Sequence, residues 1–179
     1  MTILDMIKQT RNVPGFQARE LEGRALEELL EAVRHTPSAA NTQPWEIYLV
    51  REPRLRGELD ACLMDPMMTT EIGGAAVSGA PAAVVMAMDA KRAGARTGRV
   101  GEALLGIQDT AVAVAHLRLA AAERGIGTCW IREVRLEAVS RALNLPRGQS
   151  AVALILLGYS DGDPEAAPAL PVSDFIHVR

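Results

Sequence analysis

Ser38, Asn41, Thr42 and Gln43 fall within six positions of one another, inside the run TPSAANTQPWEIYLV at 36–50. Short hydroxyl and amide side chains donate and accept hydrogen bonds without carrying charge. Crowded together, they suit one of two tasks. They close a turn by bonding its backbone, or they hold the polar edge of a flat ligand. Turn closure is the commoner use. Arg11, beside Asn12, could pair an anion; a solvated surface arginine is the plain alternative. The remaining reactive side chains are dispersed. His35, His116 and His177 are scattered, and no Ser, His and Asp spacing points to a hydrolase. Cys62 and Cys129 show no metal-ligand spacing, and neither has an evident partner thiol. No phosphate loop or dinucleotide-binding glycine motif occurs. The reading therefore assigns no catalytic acid or base and no metal.

The chain that positions these groups has 179 residues, 49% of them apolar, and a net charge of −3. That length fits one domain, 1–179, with a sizeable core. Charges of both signs are interspersed, which argues against nucleic acid or an anionic membrane as the main partner. The start, MTILDMIKQT, lacks the order of a signal peptide, and the apolar runs at 80–88 and 151–158 are too short to span a bilayer. With two dispersed cysteines, the expected compartment is the reducing cytoplasm.

Periodicity places the elements. Ile3, Leu4, Met6 and Ile7 predict a short helix, stopped by Asn12, Pro14 and Gly15. Leu26, Leu29, Leu30 and Val33 share one face of a helix over 23–35. Pro37 ends it, and Trp45, Ile47 and Leu49 alternate with Glu46, Tyr48 and Val50 as in a strand. Leu55, Leu59, Cys62 and Leu63 suit a short helix, followed by a small-residue loop where Met67 and Met68 either line a pocket or simply pack. APAAVVMAMD, from Ala80, reads as a buried strand. KRAGARTGRV, 91–100, reads as a solvated basic loop, with Arg92, Arg96 and Arg99 as spare cations for a phosphate or nucleotide. The segment 106–125 predicts the longest helix, Asp109 in its first turn, apolar over so broad a face that burial on two sides, as in a dimer core, is expected. A strand at 126–134, a helix at 135–143 and a strand at 151–159 follow. This alternation predicts α+β, or a three-layer α/β/α sandwich.

Pro37, Ser38, Asn41, Gln43, Pro44 and Trp45, set between an amphipathic helix and an apolar strand, resemble the loop signature of the nitroreductase family of FMN-dependent oxidoreductases. IGTCWIREV at 126–134 is similar to that family's Gly-Leu-Gly-x-x-Trp-Ile-Gly run. The Ala-Pro strand at 80–88, the helix at 106–125 and the stretch 141–159 also resemble it. The resemblance implies a mostly antiparallel sheet and a homodimer, with Asp174, Phe175 and Ile176 packed on the partner. It implies FMN, reduced by NAD(P)H, passing electrons to a flat acceptor such as a nitroaromatic or quinone in a ping-pong cycle. By position, Pro37, Ser38, Ala39, Asn41 and Gln43 would touch the flavin held mainly by the other subunit. Thr10, Arg11 and Asn12 would meet its phosphate and ribityl end. Trp130, Ile131 and Arg132 would pass its reactive nitrogen, one backbone N–H donating to it. The sequence departs from the family at Thr10, Pro14 and Ala169, where the family carries basic residues. Two alternatives therefore stand: a homodimer that lost tight FMN binding and serves as a binding or regulatory module, and a flavoenzyme with a specialised substrate.

Overall fold

The runs at 82–89 and 149–158 are dominated by apolar side chains, so strands built from them must be covered on both faces. A computed structural model, which describes residues 2–64, 76–163 and 168–178, has this arrangement. Strands β1 (Trp45–Val50), β2 (Ala82–Asp89), β3 (Gly127–Ile131) and β4 (Gln149–Gly158) form one sheet in the order β1-β2-β4-β3. Every neighbouring pair is antiparallel; in register, Val85 stands between Tyr48 and Leu154, and Trp130 opposite Ile155. β2 and β4 are central, and β1 and β3 are the edges.

Among the described residues the helices flanking the sheet or packed on those that do are α1 (Ile3–Gln9), α2 (Gly23–Arg34), α3 (Pro53–Asp60), α4 (Ala90–Gly94), α5 (Gly106–Glu123) and α6 (Leu136–Ala142). On one face Val84, Met86, Ile155 and Leu157 pack with Leu29 and Val33 of α2 and Ala113 and Leu117 of α5. On the other, Val85, Leu154 and Leu156 pack with Leu59 of α3 and Val139 of α6. Successive strand residues point to opposite faces, so one apolar run feeds both cores. The architecture is the expected α+β, three-layer α/β/α sandwich. Among the described residues no helix is long and apolar enough to cross a membrane.

The basic stretch departs from the sequence reading. Residues 91–100 are mostly helical rather than a loop. Asp89 accepts the Arg92 N–H at 2.8 Å and caps α4. A helical turn, Gly98–Val100, then passes through a π-helical turn, Gly101–Leu105, directly into α5. The long helical run thus starts eight residues before the predicted Gly106, and glycine content misled the prediction. Here the glycines permit close packing. A Cβ on Gly101 would press into the Ala93 carbonyl group, and one on Gly106 would meet the Ala93 side chain at 2.8 Å. Elsewhere the differences are small: β3 stops at Ile131, and β4 starts at Gln149. His116 Nδ1 lies 2.9 Å from Thr36 Oγ1, so it links α5 to the end of α2 as a packed histidine. Met67 and Met68 lie outside the described residues.

Gly101 sets helix propensity against packing. Alanine in place of a helical glycine usually gains about 1 kcal/mol. Overpacking costs about 1–3 kcal/mol, and here the obstacle is backbone that cannot rotate aside. Gly101→Ala is therefore expected to lower the urea-unfolding midpoint with an unchanged m-value; a raised midpoint would show that the π turn relaxes freely.

Candidate functional site

Two groups of the predicted residues form two separate half-sites on the structure. The first is the loop between α2 and β1. Ala40, Asn41 and Gln43 have φ of 49°, 54° and 45°, in the left-handed region. Asparagine tolerates that region; alanine and glutamine adopt it at a cost of about 1–2 kcal/mol each. Hydrogen bonds to side chains help hold the loop in place. Ser38 Oγ accepts the Gln43 N–H at 2.9 Å, and Asn41 Oδ1 accepts from Gln43 Nε2 at 2.9 Å. Asp109 Oδ2 accepts the Ala39 N–H at 2.9 Å, and Arg96 Nη1 donates to the Ala40 carbonyl at 3.1 Å. Pro37 and Asn41 are exposed, and Ser38, Ala39 and Gln43 half-buried. Backbone strain kept by surrounding bonds marks positions worth testing for function.

The second half-site joins the corner after α1 to β3. The Val13 N–H donates to the Thr128 carbonyl at 3.0 Å, laying the corner along the free edge of β3. Asn12 Oδ1 accepts the Trp130 N–H at 2.9 Å and Arg118 Nη2 at 3.0 Å. Thr10 is placed differently from its neighbours. Its hydroxyl donates to the Met6 carbonyl at 2.8 Å, closing α1. Trp130 is half-buried against the first core, with the Arg132 guanidinium 3.6 Å from the ring centroid. Ile131 is 1% exposed, so only its backbone could face a ligand. Among the described residues, the Arg132 N–H has no hydrogen-bond partner.

Arg118 was not among the residues the sequence singled out. It is half-buried on α5, and its Nε donates to Thr128 Oγ1 at 3.0 Å. Among the described residues no carboxylate comes within ion-pair distance of it. Burial pushes its pKa below the ordinary arginine value, and the charge of Arg132 adds to the effect. The guanidinium lines a cavity of about 510 Å³ together with Lys8, Thr10, Arg11, Thr128 and Asp163. The one cue in the sequence was a single charge inside the apolar run AVAVAHLRLAAA. Asp109 was noticed only as a first-turn carboxylate; its bond to the loop spans 70 positions. Of the spare cations in the basic stretch, Arg92 pairs with Glu46 of β1, and Arg96 serves the first half-site.

The half-sites do not meet within one chain through these anchors. Asp109 and Arg118 are nine positions apart on α5, or about 13 Å along its axis. The thiols lie elsewhere in function. Burial pushes Cys129 up to about 11 and raises Cys62, so both are protonated at neutral pH and inert as nucleophiles. Among the described residues no cluster of His, Cys, Asp and Glu could hold a metal ion.

Asn12→Ala removes the acceptor shared by a backbone N–H and a buried guanidinium. It is expected to lower the unfolding free energy by about 2–3 kcal/mol, since bonds to charged donors are the stronger ones. Denaturant titration measures the loss; a change below about 0.5 kcal/mol would mean water substitutes freely.

Comparison with known proteins identifies the family and the fold. The model of the nitroreductase family matches residues 7–159. A Methanothermobacter thermautotrophicus protein provisionally named NADH dehydrogenase/NAD(P)H nitroreductase is 26% identical over 170 residues, covering 92% of this chain and 80% of the relative. A nitroreductase family protein from Streptococcus pneumoniae superposes with a TM-score of 0.86 at 23% identity, over 99% of this chain and 100% of the other. An FMN-dependent nitroreductase from Clostridium difficile gives 0.75 at 24% identity, over 98% of both chains. With the family match spanning most of the chain and the same fold in solved relatives, the chain belongs to the nitroreductase family.

Proposed function

We propose that the chain is a homodimeric, FMN-dependent oxidoreductase that takes electrons from NAD(P)H and passes them to a flat acceptor such as a nitroaromatic or quinone. The observation that carries this reading is the separation of the two half-sites along α5. The loop of one copy and the corner of another come together if two copies pair antiparallel on this helix. The helix has the surface for such pairing. Val100, Leu104 and Ile107 repeat at four- and three-residue spacing and are 58%, 51% and 45% exposed, with Val112 beyond them at 42%. An apolar stripe of this kind marks an interface, and two-fold pairing is its commonest closure. The exposed Phe175 and Ile176 of the tail add apolar surface for the same partner.

The residues present fit a flavin. At its ring end, the Trp130 N–H is bonded to Asn12, and the Ile131 N–H faces β4 by strand alternation. That leaves the Arg132 N–H, without a partner among the described residues, to donate to the reactive ring nitrogen. Asn41 commits its oxygen to Gln43 and keeps both amide hydrogens for a ligand held by the other copy. Pro37, Ser38 and Ala39 would present the loop backbone to the same ligand. At the phosphate end Arg11 supplies charge, and Asn12 positions the strand. Thr10, its hydroxyl hydrogen committed to Met6, would contribute only an acceptor. The chemistry supplied by bound FMN is acceptance of a hydride from NAD(P)H and delivery of electrons to the acceptor that follows it into the pocket, a ping-pong order. The protein contributes placement, a packed Trp130 that excludes water, and the N–H at Arg132.

One observation favours a second reading. Thr10 is turned to Met6, and Pro14 and Ala169 carry no charge, so a dimer that has lost tight FMN binding fits the corner as well. An absorption spectrum of the purified protein, before and after adding FMN, separates the two. A flavin spectrum with FMN in the heat-released supernatant, and NADH or NADPH oxidation that needs a quinone, is the expected result. A colourless protein that takes up no added FMN would leave the binding-module reading. Sedimentation of the double variant Leu104→Glu, Ile107→Glu should show a monomer that has also lost flavin, because the site would draw on both copies; a monomer that keeps its flavin would sink the shared site.

A further inference from the structure

The cavity under the corner carries charge that the fold itself does not use. Arg118 sits in the apolar face of α5, yet its guanidinium reaches only neutral acceptors, Asn12 Oδ1 and Thr128 Oγ1. A guanidinium has five N–H donors, and these bonds engage two of them. Burying a cation without a counter-charge costs several kcal/mol. A strut between Asn12 and Thr128 would need no charge; a neutral amide could make the same bonds. Lys8 and Arg11 line the same cavity, and among the described residues the one carboxylate in its lining, Asp163, is exposed. Three cations against one rim carboxylate suit a dianion. The volume, about 510 Å³, is that of a small-ligand site rather than of a packing flaw.

We infer that Arg118, with Lys8 and Arg11, binds a phosphate monoester in this cavity, the phosphate of the flavin. This rests on the flavin reading above and adds to it the residues that hold the charged end. Two of the three cations, Lys8 and Arg118, come from outside the corner motif: from the last turn of α1 and from the middle of α5. Asn12 couples the two ends of the site. Its carboxamide oxygen bonds Arg118 and the Trp130 N–H together, so the phosphate cation is fixed relative to the strand that carries the Arg132 N–H.

Riboflavin is the control, since it is FMN without the phosphate. Both flavins would be titrated into the purified protein by fluorescence quenching, and the ratio of their dissociation constants taken. Charge-assisted bonds to phosphate set the expected size. Arg118→Gln should cut the preference for FMN over riboflavin about ten- to hundred-fold, with riboflavin affinity nearly unchanged. Lys8→Gln, at an exposed position, should cut it several-fold and leave the melting temperature of the flavin-free protein unaltered. It keeps the test open if Arg118→Gln fails to fold. An FMN preference unchanged in the folded variants overturns the assignment while the flavin reading stands. A change confined to the discrimination between NADPH and NADH also overturns it, and moves the site to a nicotinamide phosphate. If the unaltered protein binds neither flavin, the flavin reading itself fails, and this inference with it.

Discussion

Burial of β2 and β4 on both faces is the constraint from which the rest of the molecule follows. Every residue from Ala82 to Met88 and from Ala153 to Gly158 is buried, so neither strand can lie at an edge or face water. Helices must close both sides, which produces the three layers. The shorter strands are left as edges, and both half-sites grow from those edges. The loop enters β1 through Pro44, whose carbonyl accepts the Asp89 N–H at 2.8 Å. The corner adds to β3 through Asn12 and Val13. An edge strand has unpaired backbone groups to offer, and here the chain uses some of them and leaves the Arg132 N–H without a partner among the described residues.

The site is costly to hold, and the cost is met from the rigid elements beneath it. The left-handed conformations at Ala40 and Gln43 oppose the intrinsic preference of those residues. They persist because α5 anchors the loop through Asp109 and the α4 region steadies it through Arg96. The half-buried Arg118 is sustained in the same way, by two neutral acceptors in place of a counter-ion. Such features lower the stability of the isolated chain. A ligand that binds the folded state and not the unfolded one offsets such a cost by mass action.

The helix α5 serves both half-sites, through Asp109 at the loop and Arg118 at the corner. Its inner face is core at Ala113, Val114 and Leu117, while one outer face remains apolar and exposed. The π turn at Gly101–Leu105 inserts an extra residue into the helical ladder and so changes which side chains share a face. Val100, Leu104 and Ile107 are all exposed along this helical run. The close contact at Gly101 is what lets this longer helical run pass α4.

The sequence alone determined the layered α+β architecture, since the periods of its apolar residues differ between helix and strand and each element is read locally. It also marked the loop at 37–45, where short polar residues crowd together, and, through its resemblance to the nitroreductase family, the run at 126–132. Only the tertiary structure decided which groups those places are left to offer. By resemblance Thr10 and Arg11 are phosphate candidates and Asn12 a ring or ribityl contact, yet the fold turns Thr10 to Met6 and ties Asn12 to Trp130. Asp109 meets Ala39 across 70 positions, and Arg118 meets Asn12 across 106. Such pairings leave no periodic trace, because they depend on how a helix lies over a sheet. Glycines at 94, 98 and 101 pointed to a loop, and packing overrode that local preference at Gly101, where the backbone needs room against Ala93.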